Sequence, residues 1–253
     1  MGVLEIIDDG AVRTVTLNRP EKRNALTSEM LRGLQALFSE TPAPEARVVA
    51  LRATGPVFSA GVDLRESLDE GVPANEGSID AALHAIETYP LPVVAVVQGP
   101  AIAGGNELAL HCDIVVASTN ATFWMSLAQI GLAPTWFLSK KLLDVGGPVL
   151  AKEMLLLGDP VPAQRMYDLG IIARVAEPDD FDAAADAVID RLAANAPLSM
   201  RAMKALINRG MAYRDAIPHD DVDRIVAAAR ESHDAREGMA ARLEKRPPQF
   251  TGR

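Results

Sequence analysis

Two segments of the chain carry small residues, and then a carboxylate, where a strand gives way to a helix. Residues 47–53 (RVVALRA) read as a buried strand. A Gly-Pro turn follows, and then Phe58-Ser59-Ala60-Gly61-Val62-Asp63-Leu64. Residues 92–97 (PVVAVV) read as a second strand, followed by Gly99-Pro100-Ala101-Ile102-Ala103-Gly104-Gly105-Asn106-Glu107. Small residues let a ligand approach the backbone closely. The N–H groups of a first helical turn lack intrahelical partners, and the helix dipole adds positive potential. Two such groups aimed at one point form an oxyanion hole, where each donor contributes about 3–4 kcal/mol of transition-state stabilisation. Glu107, in the first turn of the second helix, could move a proton on an acyl chain or activate water. Each turn alone is equally a plain strand-to-helix connection, and glutamate favours helix N-termini in general. Spacing does not bring the two turns together.

Several other chemistries are excluded. No GxxxxGK[ST] occurs, and no GxGxxG follows a strand, so nothing calls for a nucleotide cofactor. Ser59 lacks the glycine two residues earlier that a nucleophile elbow needs; position 57 is Val57. There is no HExxH, and the four histidines lack metal-ligand spacing, so no metal is expected. The one cysteine, Cys112, can form no intrachain disulfide and reads as a small apolar residue. A net charge of −9 opposes a nucleic-acid backbone, so any phosphate-bearing ligand needs a local basic patch. The apolar run 93–117 is broken by Gln98, Asn106, Glu107, His111 and Asp113, so no membrane insertion is expected. The N-terminus, MGVLEIIDDG, is not a signal peptide, and a cytoplasmic location is expected.

The elements that must position these residues follow from periodicity. The 253 residues suffice for a sizeable core. Residues 3–18 read as a hairpin turning at Asp8-Asp9-Gly10. Thr27 or Ser28 caps a helix to about Ser39, with Met30, Leu31, Leu34, Leu37 and Phe38 as its apolar stripe. Residues 113–117 form a further strand and 79–88 a helix, so the first half is α/β with largely parallel pairing. From about Gly147 helices are expected at 150–157, 163–169, 181–194, 199–209 and 222–242, with strands nearly absent. Residues 68–77 (LDEGVPANEG) read as a loop. Asn195-Ala196-Pro197 is the expected hinge, giving an α/β core over 1–196 and a helical region over 197–253.

Five segments together resemble the crotonase superfamily, the enoyl-CoA hydratase/isomerase family. They are TLNRPEKRNAL (16–26), VFSAGVDLRE (57–66), VVQGPAIAGGNELALHCDIVVAS (96–118), IGLAP (130–134) and EGMAARLEKRPPQF (237–250). They run in family order over nearly the whole chain. The resemblance implies a spiral of ββα units with a C-terminal helical trimerisation region, assembled as a homotrimer or a dimer of trimers. It implies an acyl-CoA thioester as substrate, with no further cofactor. The thioester oxygen would be held by the N–H groups of Val62 and Gly104, and Glu107 would be the first of two catalytic glutamates. Backbone around Ala60, Asp63 and Leu64 would hold the adenine. Arg23 and Lys245 would meet the CoA phosphates, Lys245 from a neighbouring subunit in one arrangement.

One position departs from the family. The second glutamate belongs four residues before the glycine of IGLAP, and that residue is Leu127. A leucine neither gives nor takes a proton. Asp63, Glu66, Asp69 and Asp113 are other carboxylates that could substitute, none of them placed by the sequence. Trp124, Met125 and Trp136 are candidates for an acyl pocket, and equally for the core. Two functions remain open. One is an enzyme that hydrates an enoyl-CoA or shifts its double bond through an enolate, with Glu107 as the single acid-base group. The other is a non-catalytic acyl-CoA binding or carrier protein on the same scaffold, with Leu127 as a lining residue.

Overall fold

The computed structural model describes residues 2–70 and 78–253. Strands β1 (Leu4–Asp9) and β2 (Val12–Leu17) form the expected antiparallel hairpin, with Gly10 at φ +57° in its turn. Strands β3 (Val48–Ala53), β4 (Val93–Val97), β6 (Ile114–Ser118) and β9 (Arg174–Ala176) extend it in parallel, in the order β1-β2-β3-β4-β6-β9. A small second sheet joins β5 (Ala101–Ile102), β7 (Thr122–Trp124) and β8 (Val161–Pro162) in that order.

The centre of the large sheet is buried on both faces, which is why VVAVV of β4 shows no apolar alternation. Val49, Leu51, Val93, Ala95 and Val97 point into the main core with helices α1 (Ser28–Ser39) and α3 (Ile79–Thr88). Val48, Ala50, Val94 and Val96 point the other way, onto Phe181, Ala185 and Ile189 of α7 (Phe181–Ala194). Helix α1 is capped as its sequence predicts, by the Thr27 hydroxyl on the Met30 N–H, and α3 is capped by the Ser78 hydroxyl on the Ala81 N–H. Two short helices begin at the glycine turns: α2 (Leu64–Glu70) and α4 (Gly104–Leu110).

The C-terminal half departs from expectation in three places. Helix α5 (Trp136–Lys152) starts well before residue 150, capped by Thr135, and kinks at Gly147 (φ 65°) ahead of Pro148. A turn of π-helix occupies 153–157. The run 222–242 is two helices, α9 (Asp220–Glu231) and α10 (His233–Glu244), because Ser232 is extended and its Oγ accepts the Ala235 N–H at 3.0 Å. Strands are nearly absent there, as expected: among the described residues β8 and β9 hold two and three residues, and they complete the two sheets. Residues 68–70, expected as loop, close α2, and 71–77 lie outside the described residues. Helices α6 (Ala163–Asp168) and α8 (Pro197–Met211) match the pattern. Lys204 of α8 reaches back to bond the carbonyls of Ile86 and Leu91 and the carboxylate of Asp113, the last at 2.7 Å.

One buried side chain fixes the first glycine turn. Asn24, at φ 51°, donates to the carbonyls of Thr54 and Val57 at 2.8 and 2.9 Å and accepts from the Arg19 N–H at 2.8 Å. Its own carbonyl accepts from the hydroxyl of Ser59, 2.8 Å away. An unmet buried partner costs about 1–3 kcal/mol, and alanine in a left-handed conformation adds about 1 kcal/mol. Asn24→Ala should therefore lower stability by about 3 kcal/mol in equilibrium urea unfolding; a loss under about 1 kcal/mol would contradict this role.

Candidate active site

The two glycine turns meet. Leu26 and Val62 form a parallel bridge in which the Leu26 N–H bonds Gly61 O at 2.8 Å and the Asp63 N–H bonds Leu26 O at 2.9 Å. The bridge uses the groups on either side of Val62, so the Val62 N–H points away from it. Ser59 bridges to Ala101, with the Ile102 N–H on Ser59 O at 2.9 Å. This brings the turns so close that neither tolerates side chains. A Cβ on Gly61 (φ +85°) would lie 2.8 Å from Ile102 O, and one on Gly105 would lie 2.4 Å from Ser59 O. A Cβ on Gly104 would sit 3.3 Å from the Val62 nitrogen. Gly104 opens α4, so its N–H has no intrahelical acceptor, and neither it nor the Val62 N–H finds another among the described residues. Two free backbone donors therefore stand side by side. Ala103, just before them, is held at φ 47°, ψ −114° by its N–H bond to Trp124 O at 2.8 Å. Such strain costs about 1–3 kcal/mol and gathers at functional sites.

Glu107 lies one turn further along α4, fully buried. Neither carboxyl oxygen has a hydrogen-bond partner among the described residues. Burial pushes its pKa well above the usual value; the charge of Asp80 pushes it further, and Lys141 opposes this. His111 Nδ1 lies 3.7 Å from Glu107 Oε2, but its hydrogen bond, at 2.8 Å, goes to the Glu107 main-chain oxygen. Burial, helped by the nearby Lys141 cation, brings His111 down to about 3. The ring is thus neutral, donates through Nδ1, and stacks on Phe137 at 4.9 Å. Both polar side-chain atoms of Asn106 are also buried without partners. Burying such groups unbonded costs about 1–3 kcal/mol each, an expense the fold alone has no use for.

The remaining sequence candidates are spread around this centre. Arg23, exposed and at φ 53°, is tied to the first turn by its main-chain oxygen, which accepts the Ala60 N–H at 2.9 Å. Asp63 pairs with Arg19 at 2.6 Å, and its other oxygen caps α2 through the Arg65 N–H, so Leu64 begins that helix. Lys245 is exposed at the C-terminal end of α10, and no hydrogen bond or ion pair joins its side chain to this centre among the described residues. Leu127 is half-buried and packs against the main core. Met125 belongs wholly to that core, whereas Trp124 and Trp136 keep buried indole N–H groups without partners. Trp136 stacks on His219 at 5.1 Å. Cys112 is buried, its thiol pKa pushed up, and its Sγ donates to Leu108 O.

The substitute carboxylates mostly have other duties. Glu66 accepts the Ser28 N–H at 2.8 Å, and Asp113 is held by Lys204 and the Val93 N–H. The side chain of Asp69 lies outside the described residues. The carboxylate that acts electrostatically on Glu107 is Asp80, which the sequence did not single out. In Ser78-Ile79-Asp80 an acidic residue two places past a helix cap looks like ordinary helix chemistry, so no signal marked it. Among the described residues, no group of His, Cys, Asp and Glu is arranged to hold a metal.

An α/β fold that sets two backbone donors near an enclosed carboxyl has the parts of an oxyanion-hole site. A sequence model of the family described as "Enoyl-CoA hydratase/isomerase" matches residues 8–253. A Thermus thermophilus protein named "Putative enoyl-CoA hydratase" is 39% identical over 257 residues, covering 96% of this chain and 99% of its own. The crystal structure of an enoyl-CoA hydratase from Mycobacterium avium subsp. paratuberculosis superposes with a TM-score of 0.86 at 32% identity, covering 99% of both chains. A methylmalonyl-CoA decarboxylase in complex with 2-nitronate-propionyl-CoA superposes at 0.90 with 25% identity, covering 100% of this chain and 99% of its own. The chain belongs to the enoyl-CoA hydratase/isomerase family and has the crotonase fold.

The raised pKa of Glu107 has a measurable consequence. The folded protein keeps a proton that the unfolded chain releases above its ordinary value of 4.5. Stability contributed in this way is complete below that value and is lost as pH rises toward the folded pKa. Glu107→Gln has no such titration. Its stability relative to wild type should therefore grow as pH rises above the ordinary value of 4.5 toward the folded pKa, by up to about 1.4 kcal/mol per unit. Urea unfolding across that range measures it, and a difference that does not vary with pH would contradict the buried, protonated state.

Proposed function

We propose that this protein is an acyl-CoA enzyme that forms a thioester enolate and uses it to hydrate an enoyl-CoA or to shift its double bond. The observation that carries the reading is the fully buried, unbonded carboxyl of Glu107, one helical turn from the paired N–H groups of Val62 and Gly104. Backbone donors suit an enolate oxygen because they concentrate positive potential without titrating. The carboxyl is enclosed in a low dielectric, which keeps its proton affinity high enough to give as well as take a proton. A protein that only carried an acyl-CoA would need the donors but not this costly carboxyl, so the carrier reading is the less supported of the two.

In this reading Arg23 and Lys245 bind the CoA phosphates, offsetting the net charge of −9. Backbone at Ala60, Asp63 and Leu64 receives the adenine, and Leu127 lines the acyl site as an inert wall. The CoA thioester is the substrate, and no other cofactor is invoked. The related decarboxylase structure, with its bound acyl-CoA analogue, supports this class of ligand.

We also propose a homotrimer or a dimer of trimers. Helix α8 exposes Leu198, Met203, Leu206 and Ile207, with Leu198 at 77% and Leu206 at 72% of full exposure. Helix α9 exposes Ile225. An apolar surface this extensive favours burial against another copy. Light scattering at micromolar protein should give three or six times the 27.0 kDa chain mass; a monomer would reject the assembly.

The catalytic test compares wild type with Glu107→Gln on short 2-enoyl-CoA and 3-enoyl-CoA thioesters. Turnover should fall about 10²- to 10⁴-fold, the usual contribution of one acid-base group. Acyl-CoA affinity should stay within about twofold, because the oxyanion donors are backbone groups. Binding without turnover in the wild type, on both substrates, would favour the carrier.

A further inference from the structure

The site has a second carboxyl that neither the family pattern nor the sequence marks. Asp80 lies in the first turn of α3, and that end of the helix is pressed against the oxyanion turn: a Cβ on Gly104 would lie 2.7 Å from Ile79 Cδ1. One oxygen of Asp80, Oδ1, is buried without a partner among the described residues, as are both oxygens of Glu107. Burial raises the Asp80 pKa, and the Thr135 hydroxyl at the start of α5 and the Arg230 guanidinium of α9 act against that rise. Arg230 is itself fixed by its Nε bond to Ala133 O at 3.0 Å. Asp113, Glu66 and Asp63, by contrast, spend their oxygens on bonds within the fold.

We infer that Asp80 is the second proton-carrying carboxyl of this site, paired with Glu107 and supplying the proton transfer that Leu127 cannot. The inference rests on the enolate reading above. The pair is asymmetric. Burial raises the pKa of both carboxyls; Glu107 is fully enclosed, whereas the Thr135 hydroxyl and the Arg230 guanidinium oppose the rise at Asp80, so Asp80 is the more readily ionised of the two. Lys141 of α5 is the other charge acting on Glu107 and favours its ionisation. In this inference the two carboxyls share one proton.

One proton in and one proton out is what either reaction needs. In a double-bond shift, the Asp80 carboxylate takes the proton as the C–H bond next to the thioester breaks, and the electron pair moves onto the thioester oxygen. Glu107 then gives its proton to the carbon at the far end of the allylic system, and the enolate electrons return to form that C–H bond. In hydration, Asp80 takes the proton of the water whose oxygen bonds Cβ, and Glu107 protonates Cα. Each turnover moves the proton from Glu107 to Asp80, and its return between them resets the site.

The test is Asp80→Asn, with Asp80→Glu as the conservative variant, read by pH profiles of kcat and kcat/KM and by acyl-CoA affinity. Wild type should give a bell-shaped profile. Asp80→Asn should lose about 10²- to 10⁴-fold in kcat and one limb of the bell, with affinity within about twofold. Removing the negative charge should also move the surviving Glu107 limb to lower pH; the discriminating readout is the lost limb, which removal of a merely structural acid would leave in place. Asp80→Glu should keep both limbs and part of the turnover, and it carries the test if the asparagine variant does not fold. Asp80→Asn with near-wild-type kcat and an intact bell would overturn the inference and leave the enolate reading standing. A wild type inert on every enoyl-CoA would overturn that reading, and this inference with it.

Discussion

Everything chemical in this molecule depends on how closely two backbone turns approach. The contact of Gly61 with Ile102 and of Gly105 with Ser59 leaves no room for a Cβ on either glycine. It is this contact that sets the Val62 nitrogen beside Gly104. Around it the chain accepts local costs: Ala103 in a strained conformation, Asn24 and Arg23 at positive φ, and a buried Ser59. Asn24 and Ser59 offset these by saturating their hydrogen bonds, and the parallel bridges from Leu26 and to Ala101 lock the register. The small β5-β7-β8 sheet serves the same end, since β7 supplies the Trp124 carbonyl that holds Ala103.

The electrostatics follow from enclosure. Helix α4 is buried along its whole length, so its acidic residue is charged only at high cost. Glu107 receives no hydrogen bond that would favour ionisation, and His111, kept neutral by the same burial, turns its N–H to the backbone instead. Proton affinity here is set by desolvation first and by neighbouring charges second. Asp80 adds to it, and Lys141 takes some away.

Surface and interior carry opposite demands. The acidic surface disfavours a polyanionic ligand, yet the first turn has an exposed arginine held beside it through the Arg23–Ala60 bond. The C-terminal helices show the reverse pattern: α8 is anchored inward by Lys204 while its outer face is apolar. That arrangement fixes the orientation of the exposed stripe relative to the α/β core.

Several features were written in the sequence because they rest on local physics. The hairpin, α1, α3, α7 and the parallel strands follow from periodicity and capping residues that act over a few positions. The two glycine turns and Glu107 were visible as composition at strand ends, and five motifs in order marked the family. Other features were decided only by tertiary structure. The break at Ser232 depends on a single cap within a continuous apolar pattern, and β8 and β9 are too short to declare themselves without the sheets they complete. That the two turns face each other comes from bridges between residues far apart in the chain. Asp80 is the clearest case: on its own helix it is an ordinary first-turn acid. Only the packing of α3 against α4, with Thr135 and Arg230 arriving from two further helices, makes it a charge that acts on Glu107. Local sequence specifies which conformations each segment prefers; the electric environment of a side chain is a sum over neighbours that only the folded chain brings together.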